Sequence, residues 1–269
     1  LKQREESMPA IKFAREYLCE PIHDNSSMFP NSLLEKARDE NLVLLDHAEQ
    51  EFDEEGNPAG VFGQHFVGWD PAIASDSNAD YTAMVILRML PDSEEKQMVH
   101  VINQKGLSGA AQTKNILLIN NRFQPDLIEL EGNNFQRMFA AELQDMRDDI
   151  PIKTFMTTKQ RKESMFMSLL MAFEQGKIKT PWGNERSKEY TRELEKQLSR
   201  FGMTKSGKLE SVGSHDDLAM AIALANWATK EFRGSVILLD DDLPGFDKWF
   251  LDSPGKGAQR MTGDDWFVA

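Results

Sequence analysis

From Gln64 onward the apolar positions gather into short runs broken by turn residues. His65–Asp70 reads as a strand, Tyr81–Leu90 is a longer apolar run with β-branched residues, and Met98–Ile102 is a third. Pro91-Asp92-Ser93 turns the chain between the last two, so these three runs predict an antiparallel meander. Beyond them the period changes. Helical spacing over Ser108–Asn120, a strand at Leu127–Glu131, helical spacing over Phe135–Asp148 and a short strand at Ile152–Met156 follow one another. Lys159–Gln175 is strongly amphipathic, with Met165, Phe166, Leu169, Leu170 and Phe173 on its apolar face. Ser187–Arg200 reads as a charged helix and His215–Lys230 as one rich in Ala and Leu. This order predicts an α/β domain: a mixed β-sheet, antiparallel meander plus parallel strands, flanked by helices.

The flanks read differently. Residues 1–60 look like a lead-in with two short helical patterns, the second opened by a capping box of Ser32 and Glu35. The acidic, Gly- and Pro-containing run Glu49–Gly60 reads as a linker. Residues 236–269, with Asp240-Asp241-Asp242, read as an acidic C-terminal tail, leaving 61–235 as the main domain. An opening Leu1 instead of Met suggests a piece excised from a longer chain.

Composition narrows the classes. Of 269 residues, 40% are hydrophobic and 28% charged, ordinary for a globular protein. No apolar run approaches the roughly 20 residues of a membrane helix, so no membrane partner is expected. Cys19 is the only cysteine, which excludes an intrachain disulfide or a Cys-based zinc site and fits a reducing compartment. A net charge of −13 speaks, by itself, against nucleic acid. Yet residues 151–210 carry 13 Lys and Arg against 7 Asp and Glu, a basic stretch within an acidic protein. It is either a solvated helix surface or a face that contacts phosphate.

Carboxylates at element ends are the candidate chemistry. Asp70 ends the first meander strand, Glu131 ends a later one ahead of Gly132-Asn133-Asn134, and Asp216 and Asp217 open the Ala-rich helix. Strand ends and a helix start can converge on one crevice of an α/β sheet. Carboxylates gathered there repel unless a cation neutralises them, and oxygen-only ligands select hard ions. Each residue also has a plain structural explanation. Asp70 fits a turn, Asp216 or Asp217 fits a helix cap, and Glu129 shares Glu131's side of the strand. Spacing alone leaves the choice open.

An ordered set of motifs goes further. Phe66-Val67-Gly68-Trp69-Asp70-Pro71-Ala72 precedes Asp80-Tyr81-Thr82-Ala83 and Ile128-Glu129-Leu130-Glu131-Gly132-Asn133-Asn134-Phe135-Gln136. Lys162-Glu163 through Phe173-Glu174-Gln175-Gly176-Lys177-Ile178 comes next, then Ser206-Gly207-Lys208 and Gly213-Ser214-His215-Asp216-Asp217-Leu218-Ala219. In this order the set resembles the C-terminal nuclease domain of viral (tailed-phage) terminase large subunits, over roughly residues 10–230. Phe13–Pro21 resembles the segment that closes that family's ATPase domain.

The resemblance implies an RNase H-like fold and a nuclease using two Mg²⁺ or Mn²⁺ ions to cut concatemeric viral DNA when packaging starts and ends. It implies in-line attack by water, leaving 5′-phosphate and 3′-hydroxyl ends. The family's acidic triad falls on Asp70, Glu131 and the pair at 216–217, with Asp216 taken as the principal ligand and Asp217 as a second contributor. Asp76 is a further candidate ligand, Asp80 a weaker one, and His215 could orient a carboxylate. Lys159, Arg161, Lys162, Lys205 and Lys208 are candidate DNA contacts, the last two in a hairpin around Gly207. Implied partners are double-stranded DNA, the portal protein, the small terminase subunit and the ATPase domain of a longer chain. The implied place of action is the host cytoplasm, not the mature virion. No Gly-x-x-x-x-Gly-Lys-Ser/Thr phosphate loop occurs, so ATP hydrolysis is not expected of this chain. Other RNase H-like nucleases of resolvase or transposase type, or a non-catalytic portal or motor docking module, are the competing readings.

Overall fold

The three apolar runs of the meander become neighbouring strands in a computed structural model, which describes residues 8–18, 27–72, 81–91, 93–132, 134–203, 209–211 and 216–232. They are β4 (Gln64–Asp70), β5 (Tyr81–Met89) and β6 (Lys96–Lys105), paired antiparallel in sequence order. Ahead of them lie α1 (Ala10–Tyr17), α2 (Asn31–Lys36), β1 (Arg38–Asp39), β2 (Gln50–Phe52) and β3 (Pro58–Val61). After them come α3 (Gly109–Phe123), β7 (Leu127–Glu131), α4 (Asn134–Met146), β8 (Ile152–Phe155) and α5 (Lys159–Glu174). The last elements are β9 (Ile178–Pro181), α6 (Glu185–Leu198), β10 (Phe201–Met203), β11 (Leu209–Ser211) and α7 (Asp217–Phe232). The main sheet has seven strands in the order β1-β9-β6-β5-β4-β7-β8. The β4–β7 and β7–β8 pairs are parallel, as the helical crossovers between them require. The expected fold class is therefore observed.

Both faces of this sheet are covered, which is why β5 is apolar almost throughout instead of alternating. Ala83, Val85 and Leu87 pack with α5, α6 and α7, while Met84 and Ile86 pack with α3 and α4. The apolar face read on α5 is buried as expected: Met165, Phe166, Leu169, Leu170 and Phe173 all lie in the core. Helix α7 is buried on every side from Leu218 to Thr229, because α5 and α6 lie against it as well as the sheet.

Its small residues have a specific cause. A Cβ added to Gly68 of β4 would stand 1.9 Å from the Ala221 carbonyl oxygen and 2.3 Å from the Ala225 nitrogen. The backbones of α7 and β4 thus approach so closely that neither a side chain on the strand nor a large one on that helix face fits. This contact sets the height of α7 above the strand that ends in Asp70.

Several boundaries differ from expectation. Residues 27–48 of the supposed lead-in belong to the fold: Met28, Phe29, Leu34, Ala37 and Leu44 are buried in the core, and β1 pairs with β9 at the sheet edge. The Ser32–Glu35 capping box does not form, since Pro30 holds the N-cap position of α2 and no side chain caps it. The expected linker contains a hairpin, β2–β3, whose turn is closed by the Asn57 amide donating to Asp53 Oδ1 at 2.7 Å, with Gly56 in the left-handed region at φ 84°. Strand β9 was too short to stand out by alternation. The expected tail, 236–269, lies outside the described residues. Among the described residues no helix is long and apolar enough to cross a membrane.

Candidate functional site

Strands β4 and β7 run parallel and in register up to the pair Trp69 and Leu130, so Asp70 and Glu131 end adjacent strands side by side. Side chains alternate along a strand, which puts Asp70 on the face of Gly68, toward α7. Glu129 stands opposite Gly68, buried deeper along the same face. The strand exit is tied down twice. The Ala72 amide donates to Thr82 Oγ1 at 3.2 Å, and Gln112 Nε2 from α3 donates to the Ala72 carbonyl at 2.7 Å.

Helix α7 begins above these strand ends. The Asp216 carbonyl accepts the Met220 amide at 2.8 Å, which makes Asp216 the N-cap residue and Asp217 the first residue of the helix. Asp217 is buried, while the Asp216 side chain is about one-third exposed, at 33%. The electrostatics tie the four acids together. The Asp70 carboxyl is held well above the usual carboxylate range, first by its removal from water, then by the charge and hydrogen-bonding reach of Glu131, then by the charges of Asp217 and Asp216. One group thus senses three acids contributed by two other elements.

A lysine faces them in an ion pair. Lys162, in the first turn of α5, places Nζ 3.0 Å from Asp216 Oδ2 and 5.8 Å from the ring centroids of both Phe166 and Phe201. That turn is fixed by Thr158, whose side chain accepts the Arg161 amide at 3.2 Å. Of the three cations expected to contact DNA from this turn, Lys162 is turned to Asp216 and the Arg161 guanidinium lies 4.4 Å from the Phe155 ring centroid. Lys159 is exposed. Asp76, Asp80, Lys205, Lys208 and His215 lie outside the described residues; β10 and β11 pair antiparallel.

The donor set suits a hard divalent cation: every ligand atom on offer is a carboxylate oxygen, and the excess negative charge already penalises ionisation of Asp70. The fit lies in donor chemistry and not in ready-made coordination. Among the described residues, no three His, Cys, Asp or Glu side chains stand together as a cation site. Sequence reasoning missed the Lys162–Asp216 pair, for which a basic helix start was the only signal. It also missed Gln197 of α6, a buried amide whose Oε1 accepts the Leu218 and Ala219 amides of α7. No motif marked that residue.

A mixed sheet of seven strands in the order β1-β9-β6-β5-β4-β7-β8, with helices on both faces, has the RNase H-like fold. The particular group follows from sequence: the chain belongs to the terminase RNaseH-like domain family, whose model matches residues 67–227. No curated protein matches the chain significantly. Among solved structures, the large terminase nuclease of the thermophilic phage G20c, with bound magnesium, is similar at 18% identity and a TM-score of 0.51, covering 76% of this chain and 98% of that one. The nuclease domain of the large terminase subunit gp2 of bacterial virus Sf6 is similar at 10% identity and a TM-score of 0.52, covering 75% and 98%. The HK97 bacteriophage large terminase is similar at 12% identity and a TM-score of 0.50, with 75% of this chain aligned to 43% of that longer one. At such identities the likeness speaks for the fold.

Proposed function

We propose that this chain is a metal-dependent DNA endonuclease without sequence preference, which cuts concatemeric viral DNA at the initiation and termination of genome packaging. The observation that carries this reading is the convergence of Asp70 and Glu131, at adjacent strand ends, with the acids that open α7, where burial first and then Glu131, Asp217 and Asp216 oppose ionisation of the Asp70 carboxyl. Negative charge so concentrated is a standing demand for a cation. Asp70, Glu131 and Asp216 would hold two Mg²⁺ or Mn²⁺ ions, with Asp217 as a further donor. Asp76, six residues after Asp70 in the sequence, is a further candidate ligand. The G20c nuclease has been solved with magnesium and with cobalt, and a mutant of the Sf6 domain with manganese. Bound divalent ions supply Lewis acidity, making a water more acidic and stabilising a departing 3′ oxygen.

The chain's own groups do the rest. Asp70 and Glu131, on rigid strand ends, fix one side of the crevice, and the start of α7 fixes the other. Lys162 steadies Asp216 and keeps a positive charge beside the path of a phosphate. Lys159 and Arg161 extend that charge along the surface, with Lys205 and Lys208 as candidates across the hairpin. The substrate is double-stranded DNA in the host cytoplasm, delivered by an ATPase domain, the portal and the small terminase subunit.

The test is Mn²⁺-dependent nicking of supercoiled plasmid. Asp70→Asn and Glu131→Gln are each expected to abolish it while the circular dichroism spectrum stays that of the wild type. Nicking retained in both variants overturns the assignment, and a strong preference for branched over plain duplex DNA transfers the chain to the resolvase type.

A further inference from the structure

The start of a helix leaves its first amides without partners inside the helix, and Asp is a favoured N-cap because its carboxylate accepts from the second or third of them. Asp216 occupies that position in α7, where those amides belong to Leu218 and Ala219. Both residues are buried, with 1% and 0% exposure, so water cannot serve them. Neither donates to Asp216. The Leu218 amide donates to Gln197 Oε1 at 2.9 Å and the Ala219 amide to the same oxygen at 3.2 Å. Gln197 is itself buried, and its Nε2 donates to Glu193 Oε1 at 3.2 Å, one turn earlier on α6, which orients the amide with its oxygen toward α7. Only this orientation satisfies both amides.

We infer that Gln197 is a positioning residue: it caps α7 in place of Asp216 and so releases the Asp216 carboxylate into the acidic crevice as a cation ligand. The inference rests on the metal-binding reading of that crevice. The carboxylate is free of its own helix end, with Oδ2 held at 3.0 Å by Lys162 Nζ of α5. The chemistry of the substitute also fits. A carboxylate at position 197 could accept the same two amides, but it would add a fifth negative charge beside Asp70, Glu131, Asp216 and Asp217. A glutamine supplies the acceptor and stays neutral. Without it, two buried donors would lack a partner, and the nearest acceptor by position is the Asp216 side chain, which would turn back to the helix.

The test has two arms, both on the full chain. In EDTA-treated protein, hydrogen exchange of the Leu218 and Ala219 amides is expected to stay within about twofold of wild type in Asp216→Ala, because Gln197 holds them. Exchange accelerated tenfold or more in that variant would show Asp216 to be the cap and overturn the inference, and this arm needs no change at 197. In Gln197→Leu, calorimetric Mn²⁺ affinity is expected to fall about tenfold, the worth of one helix cap. The EDTA melting temperature should hardly move, since Asp216 takes the amides over. A lower melting temperature with wild-type Mn²⁺ affinity would make Gln197 merely structural and overturn the inference while leaving the nuclease reading intact. A wild-type chain that binds no Mn²⁺ would bring down both.

Discussion

The close approach of α7 to β4 makes Gly68→Ala a sharp test of how the site is built. The added methyl would stand 1.9 Å from the Ala221 carbonyl oxygen and 2.3 Å from the Ala225 nitrogen, against a floor of 3.0 Å for real contacts. Both are backbone atoms, so no rotamer change relieves the clash. Reaching the floor takes a separation of about 1.1 Å, 3.0 less 1.9, between helix and strand. Overpacking of that kind costs roughly 1–3 kcal/mol, which for a domain of this size lowers the melting temperature by about 3–10 °C. Function should suffer more than stability. Asp70 is two residues along the strand from Gly68, and Asp216 and Asp217 head the displaced helix, so the shift opens the crevice between them. A misplacement of about 1 Å costs on the order of 100-fold in rate. Plasmid nicking with Mn²⁺ and melting by circular dichroism measure the two effects. Gly109→Ala, where the methyl meets nothing within 4 Å, is the control and should melt at or above the wild-type temperature. Wild-type melting and nicking rates in Gly68→Ala would refute the argument that this contact sets the site.

Three further outcomes follow from the same structure. His65 is fully buried and its imidazole pKa is pushed down to about 4, chiefly by burial and then by the nearby Arg88 charge. A folded pKa below the unfolded one of roughly 6.5 means this contribution is intact above pH 6.5 and is lost as the pH falls toward 4. Stability to urea should therefore drop by roughly 2–3 kcal/mol between pH 7 and pH 4.5 on this account, and His65→Phe should flatten the slope by that amount; an unchanged slope refutes it. Asp70→Asn removes a carboxyl whose ionisation is opposed first by burial and then by Glu131, Asp217 and Asp216, so the EDTA-treated variant should melt above the wild type at pH 7. A lower melting temperature contradicts the electrostatic account. Arg38 makes two 2.7 Å bonds to Glu195 while its guanidinium lies 4.1 Å from the Trp182 ring centroid. Arg38→Lys should lose roughly 1–2 kcal/mol in urea denaturation, since an ammonium reproduces neither the fork nor the stacking, and wild-type stability would refute that.

What the sequence disclosed follows from how far each signal reaches along the chain. Strand β5 and helix α5 announce themselves because burial imposes a local period, and the parallel β4–β7–β8 arrangement follows from the helices between the strands. Period does not separate Glu131 from Glu129, since both lie on one side of β7, and the choice of Glu131 rests on the resemblance; in the sheet Glu129 stands opposite Gly68 and Glu131 follows the Trp69–Leu130 pair, beside Asp70. The edge strands β1 and β9 are too short for alternation to show. Met28, Phe29 and Leu34 read as a lead-in because no period of their own marks them; they are core because they join the cluster that includes the apolar side of α5, Phe29 meeting Phe166 and Phe173 edge-on. Gln197 was illegible for a stronger reason. A glutamine on a charged helix is unremarkable until the partner helix, some twenty residues on in sequence, brings two amides to it.

The same distinction bears on what makes Asp216 available. Read locally, an aspartate before an apolar helix is a cap, which accounts for the residue without any chemistry. It fails here because the capping requirement is met from another element, by Gln197 Oε1. A functional carboxylate at a helix start thus needs two conditions, a crevice to enter and a substitute to hold the helix end. Residue type at the position supplies neither. The first is set by the glycine-permitted approach of α7 to β4, the second by the burial of a neutral amide on α6. Each can be broken without touching an acidic residue, and the two breaks differ in kind. Gly68→Ala should move the whole helix start and cost stability together with metal binding. Gln197→Leu should move one side chain and cost metal binding alone.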